Sequence, residues 1–258
     1  MSIVQAAVLG LVQGITEFVP VSSSAHLALF PWLLKWPDQG LAYDVALHWG
    51  TIIALLIYFR EDLKKLITAT LRGGEQRQLA LGLVLATVPG ALAGLLAEDY
   101  IETIFRQPER IALSLIVFGI LLGIADRVGR KKLELTAIDW RFCLAIGCAQ
   151  ALAVVPGVSR SGITLTAALF LGLRRYDAAR FSFLLAIPIV LGAGVLQLKD
   201  LSASGLDAAF WTGIAVSTLS GYAAIHFLLD YLKKSSLIIF AGYRVVLGIL
   251  IILLALLR

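Results

Sequence analysis

Hydrophobic residues occupy the chain in long blocks that are separated by short polar segments. Six blocks approach or reach the roughly 20 apolar residues that a helix needs to cross a bilayer. We interpret them as membrane-spanning helices at about 41–59, 79–97, 111–125, 181–198, 209–229 and 238–257. The pattern therefore predicts an all-α integral membrane protein with six transmembrane helices.

Two further apolar regions, 3–34 and 138–173, do not fit as single crossings, because proline and a cluster of polar residues interrupt each one near its middle. Irregular backbone at membrane depth is tolerated where it is buried in protein or lines a water-filled cavity. We therefore predict that both regions are re-entrant helical hairpins whose tips face the interior of the bundle.

The composition agrees with this class of protein. Hydrophobic residues make up 59% of the chain and charged residues 15%, whereas a soluble domain has about 45–50% apolar and about 25% charged residues. At 258 residues, the chain is predicted to form one polytopic membrane domain, 1–258.

Basic residues predict the orientation of the bundle. Fifteen of the 22 Lys and Arg residues fall in the polar segments 60–78, 126–141, 174–180 and 233–234. These segments share one side only if hairpin 3–34 enters from outside and hairpin 138–173 from the cytoplasm, which leaves both termini outside. The net charge of +5 is then a positive-inside signal, and no nucleic-acid partner is implied.

The two broken regions resemble each other in sequence. "QGITEFVPVSSSAHLALF" begins at Gln13 and "QALAVVPGVSRSGITLTAALF" begins at Gln150, so that segment 21–24 aligns with segment 158–161 at an offset of 137 residues. Because the hairpins enter from opposite faces, we predict inverted-topology repeats, about 1–125 and 138–258. Broken helices that meet near the midplane form the binding site of many transporters.

The hairpin tips carry the features of an anion site. Pro20 and Pro156 are predicted to end the first half-helices, and the serines that follow suit N-caps of the second half-helices. Two helix N-termini that face one pocket favour an anion, and the planar fork of Arg160 matches phosphate oxygens. Structural pairing is the alternative interpretation of Arg160. The predicted phosphate-binding residues beside it are Ser22, Ser159, Ser161, Gly162 and Thr164.

Glu17 lies one helical turn after Gln13, so both residues occupy one face of the first half-helix. A carboxylate at this depth is costly, which leaves two interpretations. Glu17 forms a buried salt bridge, for example with Arg160, or it acts as a general base or a ligand of a divalent metal.

His26 follows Ser22, Ser23 and Ser24 by about one helical turn. A histidine that is oriented by Glu17 and abuts a serine would activate a hydroxyl nucleophile; three capping serines and a core histidine are the alternative. Two other features stay open at this point: Asp44 and His48 line the entrance to the pocket or pair with each other, and Arg244 has no assigned role.

"QGITEFVPVSSSAH" and "PGVSRSGIT" resemble the two signature segments of the undecaprenyl-diphosphatase family, also called bacitracin-resistance proteins, and the likeness extends to "SFLLAIP" at 182–188 and "YR" at 243–244. The resemblance implies a phosphatase of the bacterial inner membrane that removes the terminal phosphate of undecaprenyl diphosphate and so recycles the lipid carrier of cell-wall precursors. It also implies an active site open to the periplasm, a frequent homodimer, and dependence on a divalent cation, Mg²⁺ or Ca²⁺.

Carried over by position, the family motifs imply a catalytic set and a phosphate-binding set. The catalytic set comprises Glu17, Ser23, His26 and Arg160; the phosphate-binding set comprises Gln13, Ser22, Ser159, Ser161 and Thr164. Many family members have glutamate where this chain has Gln13. Glu17 is therefore expected to be a metal ligand or a base, and Gln13 a neutral ligand or a hydrogen-bonding partner. Two mechanisms remain open: attack by Ser23 with His26 and Glu17 behind it, or attack by water that Glu17 or His26 activates.

Two other classes of membrane protein share some of these features. A transporter would suit inverted repeats and alternating access, but the serine, histidine and glutamate cluster has no evident task in translocation. The other class of membrane lipid phosphatases carries a Lys-x6-Arg-Pro element followed by His-x3-Asp, and this sequence has neither.

Overall fold

A computed structural model of the chain describes residues 1–37, 40–74, 76–105, 107–197 and 207–257. Regular structure in these ranges is helical, apart from one isolated bridge between Leu133 and Leu173, so the predicted all-α class is confirmed. The α-helices are, in chain order, α1 (Ile3–Phe18), α2 (Ser23–Leu34), α3 (Gly40–Tyr58), α4 (Arg60–Arg72), α5 (Arg77–Phe105), α6 (Pro108–Val128), α7 (Trp140–Gln150), α8 (Arg160–Phe170), α9 (Arg175–Gln197), α10 (Ala208–Leu232) and α11 (Ile238–Leu256).

Among the described residues, five helices are long and apolar enough to cross a membrane: α6, α10, α11, segment Arg77–Ala97 of α5, and segment Arg175–Leu196 of α9. The chain is therefore a multi-pass membrane protein. The sixth predicted crossing, 41–59, corresponds to α3, of which the apolar stretch Ala46–Tyr58 is shorter than a crossing. Helix α6 is longer than the predicted 111–125, because Pro108 suits the first position of a helix.

Helix α4 lies within the segment 60–78, which the sequence marked only as polar. Its buried residues are Leu66 and Ala69, whereas Lys64 and Lys65 are exposed. Apolar residues three to four positions apart place one stripe against the bundle and leave the charges outside. This spacing, read with a helical period, could have predicted the helix.

Close packing of α1 against α10 fixes the first half-helix in the bundle. A side chain at Gly14 would collide with the Ser220 side chain and with the Ser217 carbonyl group, and a side chain at Gly10 would collide with the backbone of Gly213. Small residues of this kind let helix backbones approach closely in a membrane protein. Helix α6 packs along α11, α3 along α9 and α10, and α5 along α7 and α9.

Asp126 joins three elements at one end of the bundle. It is 1% exposed and accepts a hydrogen bond from Arg175 Nε at 2.5 Å. It also accepts one from the backbone N–H of Leu237 at 3.2 Å. The C-terminal end of α6 and the N-terminal ends of α9 and α11 therefore lie together.

Two further ion pairs bring polar segments to the same end. Arg180 pairs with Asp62 of α4, and Arg174 pairs with Glu134 at 2.9 Å. The basic segments around α4, after α6 and before α9 and α11 thus lie together, which is the arrangement that the distribution of charge predicts.

Each of the two interrupted regions is divided where the sequence indicates. Helix α1 ends at Phe18 and α2 begins at Ser23; we call the irregular segment 19–22 the first tip. A short 3-10 turn follows α7, and irregular backbone over 155–159, the second tip, leads to α8.

Candidate active site

Both tips end in a serine that caps the following helix. Ser22 accepts a hydrogen bond from the Ala25 N–H at 3.4 Å, and Ser159 accepts one from the Gly162 N–H at 3.1 Å, so the predicted N-caps are confirmed. Ser22 has a φ of 77° and Ser159 a φ of 72°, values that are uncommon for residues other than glycine. Such strained positions cost roughly 1–3 kcal/mol and concentrate at functional sites.

The likeness of the tips extends to their surroundings. The Ser22 and Ser24 hydroxyl oxygens are 3.2 Å apart, and those of Ser159 and Ser161 are 3.3 Å apart. The two glutamines at the offset of 137 residues, Gln13 and Gln150, are both buried, and the Oε1 atom of each has no hydrogen-bond partner in the described structure. At the same offset, Ser23 of the first hairpin corresponds to Arg160 of the second.

Glu17 joins the two tips. Its Oε1 atom accepts a hydrogen bond from Arg160 Nη2 at 2.6 Å. Its Oε2 atom accepts from Ser23 Oγ at 2.6 Å and from Gln13 Nε2 at 3.2 Å. The buried salt bridge that the sequence raised as one interpretation is present, and the same carboxylate also holds a serine hydroxyl.

Arg160 has N–H donors left for an anion after it has paired with Glu17. Its side chain is 14% exposed, and its second contact is a long one, 3.5 Å from Nη1 to the Ser182 carbonyl oxygen. A guanidinium has five N–H donors, so several are left for phosphate oxygens. At the starts of α2 and α8, the capping serines accept the N–H groups of Ala25 and Gly162. The other first-turn N–H groups add to the attraction for an anion, as at any helix N-terminus.

The other predicted phosphate-binding residues of the two tips and of α8 are more deeply buried than Arg160. Ser22, Ser159, Ser161 and Thr164 are buried, and Gly162 is buried with them. The Thr164 hydroxyl donates to the Arg160 carbonyl oxygen at 2.8 Å and lies 2.7 Å from Ser182 Oγ. These side chains shape and support the tips, while Ser23 and Ser24 are the more exposed serines.

The predicted orientation of His26 by Glu17 is wrong. The Nδ1 atom of His26 lies 2.7 Å from the Ser22 carbonyl oxygen, and its Nε2 atom lies 2.8 Å from the Tyr243 hydroxyl. The cause is the break in the helix: Glu17 lies in the last turn of α1 and His26 belongs to α2, so helical spacing does not relate their directions. Ser23, rather than His26, contacts Glu17.

The sequence left open the role of His48, which lies beside Glu17. Its Nε2 atom is 3.4 Å from Glu17 Oε2, and its Nδ1 atom is 2.7 Å from the carbonyl oxygen of Asp44. The shared face of Asp44 and His48 was the available signal. It left open the pocket entrance or a pair between the two residues, and it did not indicate Glu17. Tyr243 and Arg244, on α11, also contact the hairpins.

Two oxygen-bearing side chains of the site would suit a divalent cation that also has phosphate oxygens as ligands. Among the described residues, no group of three or more His, Cys, Asp or Glu side chains could hold a metal alone. The site offers the Glu17 carboxylate and the Gln13 Oε1 atom, which is buried without a partner. Mg²⁺ is commonly held by one or two carboxylates together with phosphate oxygens of a substrate, and Gln13 supplies a neutral oxygen ligand.

The fold is that of a multi-pass helical membrane protein. Two helix N-termini meet inside it beside the Glu17–Arg160 pair and the Ser23 hydroxyl, an arrangement that favours an anion. Residues 6–250 match the sequence profile of the family described as "Bacitracin resistance protein BacA". The chain belongs to this family.

Curated relatives agree over the full length of the chain. The undecaprenyl-diphosphatase of Moorella thermoacetica is 49% identical over 256 residues, which cover 98% of this chain and 97% of the relative. The undecaprenyl-diphosphatase of Elusimicrobium minutum is 49% identical over 100% of both chains, and that of Geobacter sulfurreducens is 49% identical over 96% of both.

Proposed function

We propose that this chain is a membrane phosphatase that hydrolyses undecaprenyl diphosphate to undecaprenyl phosphate and inorganic phosphate. The lipid carrier of cell-wall precursors is thereby recycled, and bacitracin resistance follows. The observation that carries the proposal is the Ser23–Glu17–Arg160 cluster at the meeting of two helix N-termini. The names of full-length relatives at 49% identity support the substrate.

In the proposed complex, the diphosphate contacts Arg160 and the N-terminal N–H groups of α2 and α8, and the polyprenyl chain lies among the apolar helices. Arg160 can bind the phosphate and Glu17 at the same time, because the described contacts of its guanidinium occupy two of its five N–H donors. This holds the terminal phosphorus near Ser23.

Glu17 is the proposed acceptor of the Ser23 proton, because its Oε2 atom is 2.6 Å from the hydroxyl oxygen. Ser23 Oγ attacks the terminal phosphorus, the bridging P–O bond breaks, and undecaprenyl phosphate leaves. Water then displaces the phosphoryl group as inorganic phosphate, and Glu17 returns its proton to Ser23. The alternative route is direct attack by water that Glu17 activates, with Ser23 as an orienting group. The catalytic role predicted for His26 receives no step.

A divalent cation, Mg²⁺ or Ca²⁺, belongs to the proposal, with Glu17 and Gln13 as its protein ligands. When bound, it neutralises charge on the phosphate oxygens, an effect worth several kcal/mol in the transition state. We expect chelation to lower the rate of phosphate release by roughly 100-fold or more, and added Mg²⁺ to restore it.

Titration of purified protein with Mg²⁺ after chelator treatment checks this expectation. Gln13→Glu is the informative variant, because a second carboxylate should lower the cation concentration that gives half-maximal activity. A rise in the melting temperature on adding Mg²⁺ alone is a readout without turnover. Full activity of chelated protein with no added cation would contradict the proposal.

We also propose that the chain has six membrane crossings and two re-entrant hairpins in inverted repeats, about 1–125 and 138–258. The packing supports a two-fold relation, since α1 packs on α10 as α7 packs on α5, while α3 packs on α9 and α6 on α11. The basic end of the bundle then faces the cytoplasm, with the active site open to the periplasm and both termini outside. A homodimer, which the family resemblance implies, stays a prediction.

Cysteine accessibility tests this orientation. In a background that lacks Cys143 and Cys148, we expect Ser2→Cys to react with a membrane-impermeant maleimide added outside intact cells. Lys65→Cys, which is also at an exposed position but at the basic end, should react only after the membrane is permeabilised. The opposite pattern, or labelling of both positions from outside, would overturn the topology.

The activity itself is tested by phosphate release from undecaprenyl diphosphate by purified protein in detergent. We expect cation-dependent release with undecaprenyl phosphate as the lipid product. If folded, monodisperse protein releases no phosphate with any divalent cation, the proposed function is wrong. The transporter is then the interpretation to test.

A further inference from the structure

Arg244 is a buried cation that the proposed reaction does not use. Its side chain is 0% exposed, and a charged group at membrane depth is costly unless charges or backbone carbonyl groups compensate it. Its Nη2 atom donates to the carbonyl oxygens of Gly157 at 2.9 Å and Val158 at 2.8 Å. Its Nη1 atom donates to the carbonyl oxygen of Pro20 at 3.4 Å. One guanidinium therefore binds the backbone of both tips.

These contacts lie next to the reacting groups in the sequence. Pro20 is midway between Glu17 and Ser23, and Gly157 and Val158 immediately precede the turn that leads to Arg160. Irregular backbone inside a membrane protein needs internal donors for its carbonyl groups. A planar guanidinium supplies several donors in fixed directions, whereas a lysine ammonium acts as a point charge.

The space around Arg244 is closely fitted to its side chain. A Cβ atom at Gly162 would lie 2.5 Å from Arg244 Nη1, and a Cβ atom at Gly119 would lie 2.9 Å from Arg244 Cβ. Glycine at both positions thus allows α8 and α6 to approach this side chain. The second hairpin therefore confines the guanidinium, and α6 confines the base of the side chain.

Tyr243, the residue before Arg244, also contacts the first hairpin. The Tyr243 hydroxyl is 2.8 Å from His26 Nε2, and the two rings are stacked with centroids 5.8 Å apart. His26 lies one turn into α2, the helix that begins at Ser23. Adjacent residues of α11 therefore contact both tips and α2.

We propose that Arg244 is a positioning residue, which fixes the first tip against the second so that Ser23 and Glu17 meet Arg160. This inference rests on the proposed function, since its effect is on the geometry of that reaction. Reacting groups displaced by about 1 Å can lose about 100-fold in rate. Arg244 acts through the backbone of the tips and does not touch the substrate.

Arg244→Lys and Arg244→Met test the proposal in the phosphate-release assay. We expect both to lower kcat by about 100-fold, with a smaller change in KM, because neither side chain bridges three carbonyl groups. Gly242→Ala is the matched control on α11, since its added Cβ atom would meet no atom within 4 Å. A near wild-type rate for Arg244→Lys would overturn the proposal, because charge without bridging geometry would then suffice.

A distance measurement tests the same point without turnover. Spin labels at Ser24→Cys and Leu152→Cys, both exposed positions beside the tips, are introduced in protein that lacks Cys143 and Cys148. We expect Arg244→Met to broaden or shift the distance distribution of the labelled parent. An unchanged distribution would overturn the proposal, even if the parent protein released no phosphate and the proposed function had failed.

Gly162→Ala is the second test of the proposal, to be used if Arg244→Met does not fold. Alanine favours the helix that Gly162 occupies, but its Cβ atom would displace the Arg244 guanidinium. We expect the same changes in kcat and in the label distance, with the arginine still present. Wild-type kcat and distance in folded Gly162→Ala would count against the positioning role.

Discussion

Ser23→Ala is expected to lower kcat for phosphate release by roughly 10⁴–10⁶-fold, the range found when a member of a catalytic unit that contains a nucleophile is removed. The hydroxyl donates to Glu17 at 2.6 Å, and alanine removes both the attacking oxygen and the proton that Glu17 accepts. KM should change little, because the helix N–H groups and Arg160 remain. Steady-state kinetics on purified variants gives the kcat and KM values.

Ser24→Ala is the control for this prediction. Ser24 is the neighbouring exposed serine, and its replacement keeps the backbone N–H at the start of α2. Acid quenching of the wild-type reaction with labelled substrate should trap a phosphoserine at position 23. If Ser23→Ala retains most of its rate and no phosphoserine forms, water is the nucleophile.

Arg160→Ala is expected to reduce kcat/KM by about 10³–10⁵-fold, the range found for arginines that stabilise phosphoryl transfer. The variant also leaves Glu17, which is 5% exposed, without its cationic partner, and breaking a buried pair in this way costs about 3–5 kcal/mol of stability. Kinetics must therefore be combined with melting temperatures in detergent.

Two variants separate catalysis from folding. The double variant Glu17→Gln/Arg160→Ala removes both charges and should regain stability without regaining activity. Arg160→Lys keeps a charge but loses the planar fork, and we expect it to bind phosphate less tightly. Arg60→Ala, at a 67% exposed position, should match wild type. Wild-type kcat and KM in folded Arg160→Lys would contradict a phosphate-binding fork.

Much of the fold could be predicted because the signals are local. Apolar blocks of span length mark the long helices, and proline followed by serine marks a helix end and a new N-cap, as the structure has at Ser22 and Ser159. The pairing of Arg160 with Glu17 was within reach as well, since aligning the hairpins brought the two motifs together. Helix α4 was not predicted, because its many charged residues drew attention away from the helical spacing of its buried apolar residues.

The remaining contacts of the site depend on packing that no spacing encodes. Nothing in the sequence distance between Glu17 and His48 indicates that α3 brings the imidazole to the carboxylate. The direction of His26 is set by Tyr243, which is 217 residues away. Arg244 had one available signal, a lone arginine within an apolar span, but its partners are backbone atoms and leave no trace in side-chain chemistry.

The likeness of the two tips bears on which end of the substrate reacts. A cradle made of two identical turns would treat the two phosphorus atoms of a diphosphate as equivalent. Ser23 on one turn and Arg160 at the corresponding position of the other remove that equivalence. In the proposed reaction the site therefore has a polarity: the phosphorus beside the Ser23 hydroxyl is the one attacked, and the other departs with the lipid. A monophosphate has a single phosphorus and would contact only one of the two turns, so we expect it to be a product of the proposed reaction and not a second substrate.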